Sequence, residues 1–371
     1  MSGLSARKSG PDSGCAAGFA VFFVFLLLPS LTKRCGTAII YTYKQKGRPM
    51  TQKEIAKLLN VSQPTVSMAL SGSERISREL RDAVRKLADR SGYRPNLAGQ
   101  LLRQGRSNVV GAVFPSLTNN FFAELFQELQ NQLIPHGYLL YLVQPGADGE
   151  LPAAAECLRR MQAAGVIAIG SAAESLLRLK EDGIALVLYG GDSRLELGVS
   201  QVLPDRYAAG REAVRHLLAA GRRRIAFLGM KNPQEPRCRA YLDILAEAGL
   251  EPLTLRAGED GDSPEAGCRL MRELLFSRPD TDAVFTHNDE LAVGALRAAL
   301  QLGRKVPEEL AVFGFDSIGT GRYLSPALTS VEQPRREIAA ALVAELLATL
   351  ADPAHCRFVP VACRLVIRES A

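Results

Sequence analysis

Between Thr51 and Gly72 the chain reads TQKEIAKLLNVSQPTVSMALSG, and the side chains gathered there suit the chemistry of reading base-pair edges. Ile55, Ala56 and Leu59 share one face of a first helix by their i, i+1, i+4 spacing. Asn60 tolerates the left-handed backbone that ends such a helix, and Val61 fills the turn. Ser62 offers its hydroxyl as an N-cap, and Pro64 sits in the first turn of a second helix, where its missing N–H costs little. With Val66, Ala69 and Leu70 packed back on the first helix, Gln63, Thr65, Ser67 and Met68 are expected to point outward. A short polar face at the N-terminal end of a second helix is what reaches base edges in the major groove. A third helix follows, capped by Ser77, with Leu80, Val84, Leu87 and Ala88 inward and Gly92 as its stop. An amphipathic three-helix module with no nucleic-acid role is the plain alternative.

Charge favours the first reading. Residues 50–107 hold eleven Lys/Arg against five Asp/Glu, a net +6. The first 49 residues add seven against one, again +6, so the whole-chain value of +6 leaves the remainder at −6. A compact basic module joined to an acidic body is the footprint of a protein that meets a polyanion at one end. Arg75, Arg81 and Arg94 are expected to contact phosphates, which would make binding fall steeply with salt.

Enzymatic chemistry finds no such support. There is no GxGxxG after a strand, no Walker loop and no HExxH, and His136, His216, His287 and His355 are scattered without partners. The seven cysteines form no CxxC pair, so no metal site, cofactor or disulfide framework is expected, and reduced thiols in the cytoplasm are the default.

The elements behind these residues divide a chain whose 371 residues suit two or three domains. Residues 1–49 form an extension containing CAAGFAVFFVFLLLPSL, which follows Arg7 and Lys8. Three readings are open: a cleaved signal core, a short membrane anchor, or upstream sequence read from a start placed too early. About 20 apolar residues are needed to span a bilayer and the unbroken run is shorter, while Met50 begins a segment that needs nothing before it. The expectation is therefore a start at Met50 and no stable membrane association. A headpiece over 50–94, a hinge over 95–107 and a body over 108–371 follow.

The body alternates apolar runs, VVGAVFP (109–115), YLLYLV (138–143), GVIAIG (165–170), IALVLYG (184–190), RIAFLG (224–229), AVFTHND (283–289) and LAVFGFD (310–316), with amphipathic helices such as 122–134 and 205–220. Strands spaced by helices imply parallel sheets, and this many implies two lobes. Ligands bind at the carboxyl ends of such strands. Ser116, Asn119, Phe121 and Phe122, just after the first strand, are therefore pocket candidates, although either ring is equally suited to core packing.

The stretch TVSMALSGSERISRELRDAVRKLADRSGYRPN, Thr65 to Asn96, resembles the lactose-repressor (LacI/GalR) family signature TVSRVLNG…VS..TR..V…..LGYRPN, and the match runs on to residue 370. The resemblance implies an all-α helix-turn-helix headpiece on a two-lobed α/β body like the periplasmic sugar-binding proteins. It implies contacts from Thr51 onward with a double-stranded, near-palindromic DNA operator. Gln63, Pro64 and Met68 would choose the sequence, and Ser62, Thr65 and Ser71 would hold phosphates. Met68 stands where Arg is common, which removes a guanine contact. Asn96 opens the hinge, where Leu102 would wedge into the minor groove. Gly99 there replaces a usual Ala and weakens the hinge helix.

In the body the resemblance makes Arg237 (in PRCRAY, with Ala240 for the family's Gly) an effector-gripping arginine. Asp289 of HND becomes a hydroxyl acceptor, with capping of the helix 290–300 as its alternative. The segment FGFDSIGTGRYLSPALTSVEQP matches VGFDD…YL.PPLTTV.QP, whose regular character implies architecture between the lobes, with Asp316 and Tyr323 as candidate pocket neighbours; Gly190 replaces an Asp of VLIDR. The expected function is a homodimeric transcription regulator, a repressor, whose operator binding is set by a small-molecule effector, a sugar or related metabolite. An exported or membrane-anchored sugar-binding receptor is the rival, because the body alone would suit one.

Overall fold

The computed structural model describes residues 50–94, 107–144, 151–169, 174–190, 198–258 and 261–371. The extension 1–49 and the hinge residues 95–106, with Asn96, Gly99 and Leu102, lie outside them. The chain divides into two compact units meeting between Asn96 and Leu97.

In the first unit, α1 (Gln52–Leu59) starts at a capping box. The Thr51 hydroxyl accepts from the Glu54 N–H, and the Glu54 carboxylate accepts from the Thr51 N–H at 2.7 Å. Asn60 ends α1 at φ +51°, and the Val61 N–H closes on the Ala56 carbonyl at 3.0 Å. Ser62 caps α2 (Gln63–Leu70) and Ser77 caps α3 (Arg78–Ser91), which stops at Gly92. Met50, Ile55, Val66, Ala69, Val84 and Ala88 form the core between the three helices. Met68 corrects one expectation: its side chain is half-buried and packs against this core instead of standing clear of it.

The second unit contains two sheets. The first has the order β11-β5-β4-β3-β1-β2, from β1 (Val109–Val113), β2 (Leu139–Val143), β3 (Gly165–Ile169), β4 (Ala185–Tyr189), β5 (Ser200–Pro204) and β11 (Phe358–Val361), all parallel. The second has the order β12-β10-β9-β8-β6-β7, from β6 (Ile225–Met230), β7 (Leu253–Arg256), β8 (Ala283–Thr286), β9 (Ala311–Asp316), β10 (Thr329–Glu332) and β12 (Arg364–Val366). Only β12 runs antiparallel in it. All seven runs singled out in the sequence carry strands; β5, β7, β10, β11 and β12 were not anticipated. Four of these five have only three or four residues, and β11 carries Pro360 at a sheet edge, where its missing N–H is tolerated.

Three crossings join the lobes. After β5 the chain enters α7 (Arg206–Ala219), which packs on the second sheet. After β10 it enters α11 (Arg335–Ala351), which packs on the first. Between β11 and β12 it crosses again. Of the remaining helices, α4 (Asn120–Leu133), α5 (Pro152–Arg160) and α6 (Glu174–Glu181) belong to the first lobe, and α8 (Pro236–Glu247), α9 (Pro264–Ser277) and α10 (Asp289–Gln301) to the second. The α9–α10 pair touches backbone to backbone: a Cβ on Gly294 would lie 1.8 Å from the Pro264 carbonyl oxygen, and one on Gly267 2.1 Å from that of Leu291. This contact sets the starts of both helices side by side at the cleft.

Candidate DNA-reading face and effector cleft

At the head of α2 the Ser62 hydroxyl accepts from the Thr65 N–H at 3.2 Å and lies 2.8 Å from the Thr65 hydroxyl. Gln63 and Pro64 are exposed, Thr65 and Ser67 half-buried. Ser71, also exposed, donates to the Met68 carbonyl at 3.0 Å. The face thus consists of an exposed amide, a rigid proline ring and a row of hydroxyls, with no ionised group on α2 itself. Charge comes from its flanks, where Arg75 and Arg94 are exposed. Arg81 departs from the expectation, since its Nη1 donates to the Gly72 carbonyl at 3.0 Å and braces the turn after α2.

In the body, the strand orders reverse direction between β1 and β3 and between β6 and β8. Crevices open at the carboxyl ends of strands at such switch points. A cavity of about 610 Å³ lies there. The first lobe lines it with Pro115, Ser116, Thr118, Asn119 and Phe122, and the second with Lys231, Asp262, Glu265, His287 and Glu290 among others. Local bonds fix the first set. Ser116 and Thr118 pair hydroxyl to hydroxyl at 2.7 Å, and the Asn119 side chain caps α4 by accepting from the Phe121 N–H at 2.9 Å. The neighbouring rings divide the two readings between them: Phe122 lines the cavity, whereas Phe121 is buried in the core against Tyr189. Glu290 accepts from both nitrogens of Asn120, at 2.8 and 3.0 Å, and so clasps one lobe to the other.

Behind this wall lies a buried charged network. Arg237, 8% exposed, donates from Nε to Glu235 at 2.8 Å, from Nη1 to the His287 carbonyl at 2.7 Å, and from Nη2 to His287 Nε2 at 3.0 Å. A guanidinium only donates, so Nε2 is the acceptor and the imidazole is neutral with its proton on Nδ1. Burial, then the Arg237 charge, hold the imidazole well below its usual pKa. Arg237 also lies over the Phe315 ring at 5.0 Å.

Asp316 is 4% exposed at φ +113°, a conformation in the left-handed region that only surrounding bonds can hold. Arg335 supplies them, donating to the carbonyls of Asp316 and Ser317. Burial pushes the Asp316 carboxyl up to about 6, against the opposing pull of Arg237 and other neighbours. Its Oδ1 accepts from Gln333 Nε2, and the Gln333 carbonyl oxygen accepts from Tyr189 Oη at 2.8 Å and Arg206 Nε at 3.2 Å. Gln333 therefore ties β4 of one lobe to β9 of the other.

Asp289 is placed differently from either expectation. It is 0% exposed, and its oxygens accept from Ser330 Oγ at 2.6 Å and the Ile318 N–H at 2.8 Å. Burial and the nearby Asp316 raise its pKa well above the carboxylate range. The cap of α10 is Asn288, which accepts from the Leu291 N–H. Tyr323 is 81% exposed and stands clear of the site. Sequence reasoning missed Lys231, His287, Glu290, Gln333, Arg206 and Tyr189; the first three lie at the starts or ends of recognised elements, which was the available signal. Among the described residues, no group of three or more His, Cys, Asp and Glu could hold a metal ion, and no helix is long and apolar enough to cross a membrane.

Comparison with known proteins agrees with both halves. Residues 51–96 match the bacterial regulatory proteins of the lacI family, and residues 214–371 a periplasmic binding protein-like domain. The HTH-type transcriptional regulator GntR of Escherichia coli (strain K12) is 30% identical over 313 residues, 82% of this chain and 93% of that protein. A transcriptional regulator CelR–cellobiose complex matches at 28% identity and TM-score 0.63, covering 87% of this chain and all of that one. The lac repressor dimer bound to operator and an anti-inducer, 21% identical with TM-score 0.76 over 87% of this chain and 99% of that one, shares the fold. On the headpiece match, the full-length relative and the two-sheet body, the chain belongs to the lacI family of bacterial regulatory proteins.

Proposed function

We propose that this transcription regulator acts in the cytoplasm as a homodimeric repressor on a near-palindromic DNA operator, and that a small molecule in the cleft sets its affinity. The observation that carries the reading is the presence, in one chain, of the exposed Gln63–Pro64 head of α2 and a two-lobed cleft at the carboxyl ends of β1, β6 and β8. Two copies related by a two-fold axis read two half-sites. Gln63, Pro64 and Ser67 face bases, with half-buried Met68 at the edge of that face; Thr51, Ser62, Thr65, Ser71 and Arg75 hold backbone, and Asn96 and Leu102 belong to the hinge. Ser116, Asn119, Phe122, Arg237 and Asp316 are the core of the effector site, to which the clasp of Glu290 and the bridge of Gln333 add lobe closure. A ligand shifts the dimer by binding one state of the lobes better than the other. The cellobiose complex of a related regulator supports a sugar-class ligand. An exported receptor is set aside, because residues 51–96 match the family's DNA-binding segment.

Binding-site selection with the full chain on random duplexes tests this. The expected result is an enriched near-palindrome that shifts in a gel; an unenriched pool, with and without sugars, overturns it.

A further inference from the structure

The group joined to the site through Gln333 has a charge pattern of its own. Tyr189 ends β4 with Gly190 just beyond it, and Arg206 follows β5, so all three lie at the same carboxyl edge of the first sheet as Ser116 after β1. The Arg206 guanidinium rests on the Tyr189 ring at 5.4 Å, and its Nε is spent on Gln333. Its other two nitrogens face Gly190: a Cβ built there would lie 3.2 Å from Nη2 and 3.4 Å from Nη1. Gly190 has φ +69° and carries no side chain to meet them. Among the described residues Arg206 makes no ion pair, whereas Arg237 pairs with Glu235, Arg335 with Glu124 and Lys231 with Asp262. Nearby, Asp316 uses only Oδ1 on Gln333, which leaves Oδ2 to accept from a hydroxyl.

A guanidinium held against Tyr189 and by Gln333, with its two terminal nitrogens turned to the bare backbone of Gly190, matches a carboxylate or phosphate in fork geometry. We infer that the effector is an anionic sugar derivative, a carboxylate or phosphate on a hydroxylated carbon frame, and that Arg206 receives the anion while Asp316 receives a hydroxyl. This deepens the effector reading above and rests on it.

The test is calorimetric titration of the full chain with matched probes: D-gluconate against D-glucitol, D-glucuronate against D-glucose, and glucose 6-phosphate. The expected result is that an anionic member binds about 10- to 100-fold more tightly than its neutral partner, the range of a charge-assisted hydrogen bond. Which anion binds distinguishes carboxylate from phosphate. Arg206→Gln removes the preference and Arg206→Lys restores part of it. Gly190→Asp, which supplies Arg206 with an internal anion, also removes it, while Gly190→Asn of equal shape does not; this pair decides the matter if the Arg206 variants fail to fold. A neutral probe that binds as well as its anionic partner, no binding by any probe, or a preference that survives Gly190→Asp overturns the inference. A gel shift on the selected operator in the same preparation separates the two readings. A protein that holds its operator but prefers neutral sugars loses only this assignment, and one without specific DNA binding loses the regulatory reading too.

Discussion

The headpiece and the cleft place functional side chains by opposite means. In the headpiece every cap closes within a few residues, as Thr51 with Glu54 and Ser62 with Thr65, and the reading face is uncharged, exposed at Gln63 and Pro64 and half-buried at Thr65, Ser67 and Met68. The cleft instead rests on polar and charged groups whose partners lie far apart in sequence: Arg237 on His287, Glu290 on Asn120, Gln333 on Tyr189. The headpiece is therefore a rigid reader whose specificity a single exposed side chain can change. The cleft is a mutually dependent network, in which removing one member leaves another buried and unpaired.

The largest effect should come from Arg237→Ala. It strands Glu235 and the His287 carbonyl, and breaking a buried pair from one side costs about 3–5 kcal/mol. Urea unfolding of the body should show a loss of that size, while chain that remains folded still binds DNA. A loss below 1 kcal/mol would mean the network is not cooperative.

Asp316→Asn should act in the other direction. The folded carboxyl titrates near 6 and an unfolded one near 3.9. Between those values the folded state binds the proton more tightly, so this group's contribution to stability falls as pH rises from 4 to 6. At pH 7.5 the amide should stabilise by up to about 3 kcal/mol, and the gain should vanish near pH 4. Loss of effector response would accompany it; a variant less stable at pH 7.5 would contradict the burial argument.

Smaller changes sharpen the headpiece side. Met68→Arg can lay its stem over the core that Met68 touches and extend its fork to a guanine, worth about 1–3 kcal/mol of base discrimination. Repeated site selection should then return a guanine in each half-site; an unchanged consensus would remove position 68 from the reading face. Ser62→Ala should cost the headpiece about 1 kcal/mol through its lost cap, seen as a lower melting temperature and weaker binding to every sequence alike.

This contrast also decides what was legible in the sequence. Local chemistry wrote the headpiece plainly: Asn60, Ser62, Ser77 and Gly92 each signal a helix end, and each is where the helix ends. The seven apolar runs of the body were equally visible. Met68 was misjudged because helical spacing gives a direction but not the depth of the neighbouring groove. Asp289 was misjudged because nothing local reveals that Ser330 and Ile318 close over it. The pairing of Arg206 with the empty side of Gly190 depends on adjacent strands and a crossing, which only the folded chain brings together.

The most direct test is fluorescence anisotropy of the full chain on the selected duplex and on a scrambled duplex across a salt series. The account predicts binding to the selected duplex roughly 1,000-fold or more tighter than to the scrambled one, with affinity for both falling steeply as salt rises. Equal affinity for the two duplexes at every salt concentration would contradict it.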